Sequence, residues 1–256
     1  MSKGKIKVQA ENIFPIIKKF LYTDQEIFLR ELVSNAVDAT TKLKKLSSLG
    51  EFKGDLGDLK IEVVVNKEDK TISIIDRGIG MTSDEVKQYI NQVAFSGAED
   101  FLKKYEDKDD NSGIIGHFGL GFYSAFMVAD KVQILTKSHI VKESACSWEC
   151  DGSPEYSLKN IDKKDRGTEI ILSISKDAEE YLEDTKISSL LTKYCKFLPV
   201  EIKFGTTTKK EKNDKDEEID VVEDNIINNP KPAWTIAPKK LKDQDYKDFF
   251  KELYPF

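Results

Sequence analysis

The sequence predicts an α+β fold, a mostly antiparallel sheet with helices packed on one face. Two observations support this class. Short β-branched runs are joined by tight turns, and segments with helical periodicity lie before, between and after them without the regular strand–helix alternation of a parallel sheet. With 256 residues, 39% of them hydrophobic, the chain is long enough to bury one large core.

Two helices are predicted near the beginning. The first carries apolar residues at helical spacing, namely Ile13, Ile16, Ile17, Phe20 and Leu21. The segment Thr23–Glu26 is typical of a capping box that opens the second helix, and Tyr22 and Ile27 are placed to form a hydrophobic staple across it.

A β-hairpin is predicted next. Leu59–Val65 and Thr71–Ile75 are its strands, and the polar residues 66–70 form its turn. Further helices are predicted at Thr82–Val93, Phe118–Val128 and Ala178–Phe197, and further strands at Lys131–Lys137, Ala145–Cys150 and Thr168–Ser175. This order of elements completes the α+β prediction.

The composition changes abruptly after residue 208. Lys209–Asp224 is almost entirely charged or amide residues, which cannot bury enough apolar surface to fold alone, so a solvated loop or linker is expected. Aromatic residues and prolines return beyond it. We therefore predict a first domain over 1–208, a charged linker over 209–226 and the truncated start of a second domain over 227–256.

The composition also disfavours several classes of protein. A net charge of −6 argues against nucleic acid as a partner. No run reaches the roughly 18 apolar residues of a membrane span, and the N-terminus lacks the apolar stretch of a signal peptide, so a cytoplasmic protein without membrane contact is expected. The cysteines, Cys146, Cys150 and Cys195, lack the spacing of a zinc site and are expected to be reduced.

Three polar residues share one face of the second predicted helix. Glu31, Asn35 and Asp38 stand at positions i, i+4 and i+7, flanked by apolar residues. A carboxylate, an amide and a second carboxylate on one helix face suit a polar cavity. This face predicts a nucleotide and metal site.

A short loop follows the hairpin. It reads Asp76-Arg77-Gly78-Ile79-Gly80-Met81, and its glycines would let the backbone approach a planar ligand. Asp76 could accept a hydrogen bond from the exocyclic amine of a purine, and Met81 could contact the ring. An Asx-turn with no ligand is the other interpretation, since this composition is common in turns.

A glycine-rich segment runs from Gly113 to Phe122 into a predicted helix, whose free N–H groups would suit phosphates. Its glycines follow neither G-x-G-x-x-G nor the Walker pattern, so a Rossmann or Walker-type site is unsupported. A flexible lid without a ligand is the alternative, with His117 on its surface. Together, however, the helix face, the loop and this segment match ATP with Mg2+.

These motifs, in this order, resemble the ATPase superfamily shared by DNA gyrase, histidine kinases, MutL mismatch-repair proteins and heat-shock protein 90 chaperones. Phe28–Ala39 and Gly119–Phe126 closely resemble the heat-shock protein 90 family in its bacterial form. Gly167–Ile170 and Lys231–Trp234 extend the resemblance over nearly the whole chain.

The resemblance implies a Bergerat-type two-layer α/β sandwich that binds ATP or ADP with Mg2+. It implies that Glu31 is the catalytic carboxylate, that Asn35 is the Mg2+ ligand and that Asp76 anchors adenine. The other residues implied to bind the cofactor are Asp38, Lys42, Gly80, Met81, Gly119, Gly121, Phe122 and Thr168.

The resemblance also implies an ATP-dependent molecular chaperone of the stress response, with client proteins and co-chaperones as partners. The full-length protein would be a homodimer that closes on ATP and opens after hydrolysis. In that family a middle-domain Arg completes the γ-phosphate site. This chain alone would therefore be monomeric and would bind ATP but hydrolyse it poorly.

One segment departs from the family pattern. Residues 91–97 read Asn-Gln-Val-Ala-Phe-Ser-Gly, with Phe95 where the family has Lys, so the phosphate or ribose contact of that Lys is not expected here. The alternatives are the ATPase domain of a DNA-acting topoisomerase or mismatch-repair protein, a histidine kinase module, and a nucleotide sensor without hydrolysis. The acidic charge disfavours the first, and no separate helical segment bearing a His supports the second.

Overall fold

The computed structural model describes residues 24–92, 97, 101, 104–105, 113–116, 119–212 and 218–254. Its described strands form one sheet in the order β5-β4-β3-β6-β2-β1-β7-β8. All neighbouring strands are antiparallel except β1 and β7, which are parallel. The strands are β1 (Ile61–Asn66), β2 (Thr71–Ile75), β3 (Ala129–Lys137), β4 (Ala145–Cys150), β5 (Ser157–Ile161), β6 (Gly167–Ile174), β7 (Ile202–Lys212) and β8 (Glu218–Ile226).

Helices accompany this sheet. The α-helices are α1 (Ile27–Ser48), α2 (Ser83–Tyr89), α3 (Asp184–Cys195) and α4 (Asp243–Leu253), and 3₁₀ helices lie at Gly121–Met127, Lys176–Leu182, Ala233–Thr235 and Pro238–Lys240. The predicted α+β class is confirmed. Within the described ranges, no helix is long and apolar enough to cross a membrane.

The main core lies between the sheet and α1, α3 and the Gly121–Met127 3₁₀ helix. Alternate residues of the central strands are buried, as expected for a sheet with one face in the core. The buried strand residues are Ile72, Ile74, Val132, Ile134, Leu172 and Ile174, and the buried residues of α1 include Phe28, Leu29, Leu32, Val33 and Val37. The three cysteines are free and buried in this core.

Most predicted elements are present with shifted ends. The hairpin of β1 and β2 is confirmed, and β4 has the predicted bounds. The predicted helix 178–197 is wrong as one continuous helix, because Glu183 has an extended backbone that separates a 3₁₀ helix from α3. The predicted helix 118–128 is instead, in its described part, the tighter 3₁₀ helix Gly121–Met127. Strand β5 was not predicted.

The start of α1 also differs from the capping-box prediction. The helix begins at Ile27, and Glu26 occupies the N-cap position without a side-chain cap hydrogen bond. The Glu26 carboxylate instead binds Lys186 at 2.8 Å and Lys193 at 2.9 Å. Two charged donors therefore hold the Glu26 side chain. Thr23 and Tyr22 lie outside the described residues, as do the predicted first helix, Phe95 and His117.

The charged segment is not the solvated loop that its composition predicted. Its described residues continue β7 and β8 as an antiparallel pair, in which Thr206 faces Asp224 and Lys212 faces Glu218. Opposite charges meet across the strands, with Lys209 Nζ 2.5 Å from Glu223 Oε2. Cross-strand ion pairs and β-branched residues accompany this pairing. The division into domains stays a prediction.

Residues 227–254 lie against the end of α3. The Asn228 side chain accepts a hydrogen bond from Ile202 N at 2.8 Å and donates to Leu198 O at 2.9 Å. The Trp234 and Phe249 rings both contact Phe197, at centroid distances of 4.8 and 6.0 Å. This segment is therefore attached to the sheet-and-helix body by specific contacts.

Candidate functional site

A cavity of about 1130 Å³ opens between α1, the central strands and the glycine-rich segment. All of the residues predicted for the site line this one cavity: Glu31, Asn35, Asp38, Lys42, Asp76, Gly80, Met81, Gly119, Gly121, Phe122 and Thr168. Residues up to 137 positions apart in the chain thus meet, since Glu31 lines it with Thr168. Their individual roles stay predictions.

The floor of the cavity is built by the register of three strands. Ile170 of β6 pairs with Ile74 of β2 on one side and Ile134 of β3 on the other, which gives an apolar row. Two residues further along the same strands, Thr136 pairs with Thr168, and their hydroxyl oxygens lie 2.9 Å apart. Of the two, Thr168 lines the cavity, and an apolar strip edged by a hydroxyl group suits a planar heterocycle with a polar rim.

Asp76 lies at the end of β2, buried at the edge of this floor. Its backbone continues the pairing with β6, because Asp76 N donates to Thr168 O at 2.8 Å and Thr168 N donates to Asp76 O at 3.1 Å. Its Oδ1 accepts a hydrogen bond from Gly78 N at 2.8 Å. Burial raises the pKa of Asp76 to about 7, against the opposing effect of that hydrogen bond.

The loop after Asp76 is packed too closely for a side chain at Gly80. Its φ is +63°, and a Cβ there would lie 1.9 Å from Lys137 O. The next residue, Met81, donates its N–H to Thr136 Oγ1 at 3.0 Å. Thr136 was not predicted, because only the β3–β6 register reveals that its buried hydroxyl supports Thr168, which lines the cavity.

Glu31 stands at the other end of the cavity. Its Oε1 accepts hydrogen bonds from the neighbouring Arg30, from Nη2 at 2.5 Å and Nε at 3.1 Å. A Cβ placed on Gly121 would lie 2.6 Å from Glu31 Oε2. The glycine therefore provides the room that the carboxylate occupies. Arg30 is a second residue near the site that was not predicted from the sequence.

The glycine-rich segment is fixed to α1 through Asp38. Its two carboxylate oxygens accept hydrogen bonds from Ile115 N and Gly116 N, each at 2.8 Å. A Cβ on Gly116 would lie 3.2 Å from Asp38 Oδ2 and 3.5 Å from Asn35 Oδ1. The segment thus approaches the helix face that carries Asn35 and Asp38.

Lys42 is a cation of α1 that lines the cavity. Burial lowers its pKa, while the carboxylates of Asp38 and Glu85 oppose that shift. Its Nζ lies 5.6 Å from the centroid of the Phe101 ring, within the range of a cation–π contact. A partly desolvated ammonium next to the cavity suits an anionic ligand.

The donor set bears on which metal could be held. Among the residues that the structure describes, no three His, Cys, Asp or Glu side chains converge into a metal site. Mg2+ bound together with phosphates needs only one or two protein oxygens and keeps several waters. The amide oxygen of Asn35 faces the glycine-rich segment and could be such a ligand. The site therefore suits Mg2+ that arrives with phosphates better than a metal ion held by protein side chains alone.

Comparison with known proteins agrees with this geometry. Residues 22–179 match the family described as histidine kinase-, DNA gyrase B-, and HSP90-like ATPase. The whole chain is 61% identical to Chaperone protein HtpG of Bacteroides thetaiotaomicron, of which it covers 36%. Over 99% of the chain it is 58% identical to Chaperone protein HtpG of Porphyromonas gingivalis, again over 36% of that protein.

A more distant relative is Chaperone protein HtpG of Oceanobacillus iheyensis, 38% identical over 98% of the chain and 41% of that protein. The chain thus spans little more than a third of the length of these relatives. The family match covers more than half of the chain and includes the residues of α1, Asp76 and Thr168. The predicted resemblance is confirmed, and the chain belongs to the histidine kinase-, DNA gyrase B- and HSP90-like ATPase family.

Proposed function

We propose that this chain is the N-terminal nucleotide-binding domain of an ATP-dependent molecular chaperone of the heat-shock protein 90 type. The observation that carries the proposal is the convergence of Glu31, Asn35 and Asp38 of α1 with Asp76 and Thr168 around one cavity. A polar helix face at one end and a buried carboxyl group over an apolar floor at the other suit the two ends of a nucleotide.

Asp76 would recognise the base. Its buried carboxyl group stands beside the Ile74–Ile170–Ile134 row, on which a purine ring could lie. An ionised carboxylate accepts a hydrogen bond from the exocyclic amine of adenine, whereas the carbonyl group of guanine would face it with like partial charge. Thr168, whose hydroxyl is held by Thr136, would complete the polar rim.

The phosphates would lie along α1 beneath the glycine-rich segment, near Lys42. Asn35 would supply an amide oxygen to Mg2+, which offsets phosphate charge when it is bound. Glu31 would orient a water molecule near the γ-phosphate or accept its proton, a role worth about two to four orders of magnitude in rate. The hydrogen bond from Arg30 to Glu31 holds this carboxylate in place.

The wider activity rests on the relatives. We propose that the complete protein is a cytoplasmic homodimer that closes on ATP, opens after hydrolysis, and acts on client proteins with the help of co-chaperones. The identities of 58–61% to proteins named as chaperones support this proposal. The alternative of a DNA-acting topoisomerase or mismatch-repair ATPase is not favoured, because those relatives are chaperones and the net charge is −6.

Calorimetric titration with Mg-ADP and with an ansa-macrocycle inhibitor of the chaperone pocket tests the proposal. We expect one molecule of each to bind, and each to compete with the other. Binding of ADP without the inhibitor would keep the ATPase family but reopen the DNA-acting and kinase alternatives. Binding of neither would contradict the proposed function.

A further inference from the structure

Arg166, in the turn between β5 and β6, lies outside the cavity and joins two loops. Its Nε donates to Arg77 O and Gly78 O, each at 3.1 Å. Its Nη1 donates to Asp55 O at 3.2 Å and its Nη2 to Leu56 O at 2.9 Å. A single guanidinium group thus binds four backbone carbonyl groups from two separate loops.

The guanidinium group is also held by an aromatic ring. It lies over the Phe52 ring, 4.9 Å from the ring centroid. Burial lowers the pKa of Arg166, and the carboxylates of Asp55 and Asp76 oppose that shift. A lysine would keep the charge but could not reproduce a flat fork that stacks on a ring and reaches several acceptors.

One of the four acceptors belongs to the peptide that holds Asp76. Arg77 O and Gly78 N are the two ends of the same planar peptide group, so fixing the carbonyl fixes the N–H. That Gly78 N–H donates to Asp76 Oδ1 at 2.8 Å. Arg166 therefore acts on the Asp76 carboxyl group through a single rigid unit.

The other side of this peptide is closed by α1. A Cβ on Gly78 would lie 2.5 Å from Ala39 C, and Ile79 N donates to Ala39 O at 3.0 Å. The peptide is thus confined between helix α1 and the guanidinium group. Only Arg166 contributes a side-chain hydrogen bond to its carbonyl among the described contacts.

We propose that Arg166 is a positioning residue for base recognition, which orients the Asp76 carboxylate through the Arg77–Gly78 peptide. This inference rests on the proposed function, in which Asp76 receives the exocyclic amine of adenine. Arg166 would thus contribute to selectivity for the amine although it does not line the cavity.

The test compares two nucleotides that differ only in the amine. ADP and the diphosphate of purine riboside, which lacks the 6-amino group, are titrated calorimetrically into the wild type, Arg166→Lys and the control Lys164→Gln. Lys164→Gln removes a positive charge from the same turn without touching the four carbonyl groups. Thermal melting of each variant reports its fold.

The wild type and Lys164→Gln should bind ADP more tightly than the analogue. For Arg166→Lys, the affinity for ADP should fall about tenfold while the affinity for the analogue is unchanged, because a misplaced Asp76 weakens only the contact to the amine. An equal loss for both ligands would assign Arg166 to the fold alone and overturn the proposal, as would unchanged ADP binding.

If Arg166→Lys does not fold, Phe52→Leu removes the stacking partner and leaves the four hydrogen-bond donors of Arg166 in the chain, so it should give a smaller loss, again restricted to ADP. Equal weakening of both ligands in that variant would overturn the proposal. A wild type that binds ADP and the analogue equally would contradict the base-anchoring role of Asp76 on which the inference rests. A wild type that binds neither would contradict the proposed function itself.

Discussion

At the scale of single residues, Asp76 combines a structural cost with a proposed gain in function. Burial removes water from the Asp76 carboxyl group and disfavours its ionised form, which raises its pKa to about 7. The folded state therefore binds a proton more readily than the unfolded state between pH 4 and 7, so this group makes the fold less stable as the pH rises through that window. A ligand that donates a hydrogen bond to the carboxylate offsets this cost.

ADP binding should consequently depend on pH. Below about pH 7 the Asp76 carboxyl group is protonated and no longer favours the amine, so affinity should fall by up to about tenfold per pH unit. Calorimetric titrations from pH 5.5 to 8.5 would measure this. The phosphate groups of ADP titrate in the same range, so Asp76→Asn serves as the control. The same profile in both proteins would contradict the assignment.

Glu31→Ala should separate binding from turnover. The carboxylate is proposed to act on water and contributes little to ground-state binding, so ADP affinity should stay close to that of the wild type. Single-turnover hydrolysis of ATP should slow by at least about 100-fold. Glu169→Ala, on the opposite face of the sheet, is the matched control. Collapse of ADP binding in Glu31→Ala would assign the residue a structural role instead.

At the scale of elements, α1 is tied to α3 at its N-terminus. The Glu26 carboxylate bridges Lys186 and Lys193, and those two hydrogen bonds lower its pKa to about 2. Because the folded pKa lies below the ordinary value of 4.5 for a glutamate, the bridge stabilises the fold above about pH 4.5 and loses this effect as the pH falls towards 2. It fixes the helix that carries Glu31, Asn35 and Asp38.

Glu26→Gln should therefore lower the melting temperature at pH 7 and have little effect near pH 2. Differential scanning fluorimetry across that pH range measures the difference. Glu183→Gln is a suitable control, since Glu183 pairs with Lys67 and both side chains are at least half exposed. A pH-independent difference between Glu26→Gln and the wild type would contradict the electrostatic origin of the effect.

The elements also show what a sequence can predict. Local signals were sufficient for the β1–β2 hairpin and for the helix face of Glu31, Asn35 and Asp38, since both depend on residues close in the chain. Two other features could not be predicted, because they depend on contacts between residues on different strands. The pairing of Thr136 with Thr168 follows from strand register, and the charged residues of β7 and β8 form an antiparallel pair in which Lys210 faces Asp220 and Lys209 binds Glu223 across the strands.

At the scale of the whole molecule, the chain covers about a third of its chaperone relatives. The site described here brings α1, β2, β3 and β6 around the cavity, with the glycine-rich segment held by Asp38. We propose that the arginine completing the γ-phosphate site comes from the part of the protein beyond this chain. Nucleotide binding would then need only this chain, whereas hydrolysis would also need the part of the protein that carries the arginine.

The isolated chain should therefore bind ADP but hydrolyse ATP slowly, and it should be a monomer. Size-exclusion chromatography with light scattering, with and without ATP, would measure its mass against the 29.1 kDa of one chain. A coupled ATPase assay would give the rate, with Glu31→Ala as the background. A dimeric chain, or rapid turnover that Glu31→Ala abolishes, would contradict the division of roles.

The central claim is that the cavity between α1 and the sheet binds an adenine nucleotide through Asp76. Calorimetric titration of Mg-ADP into the wild type and Asp76→Asn at pH 8 tests it most directly, with Asp130→Asn as the exposed control. Replacing the carboxylate removes a charge-assisted hydrogen bond, so we predict that Asp76→Asn binds about 10- to 100-fold more weakly while remaining folded. Wild-type affinity in Asp76→Asn would contradict the account.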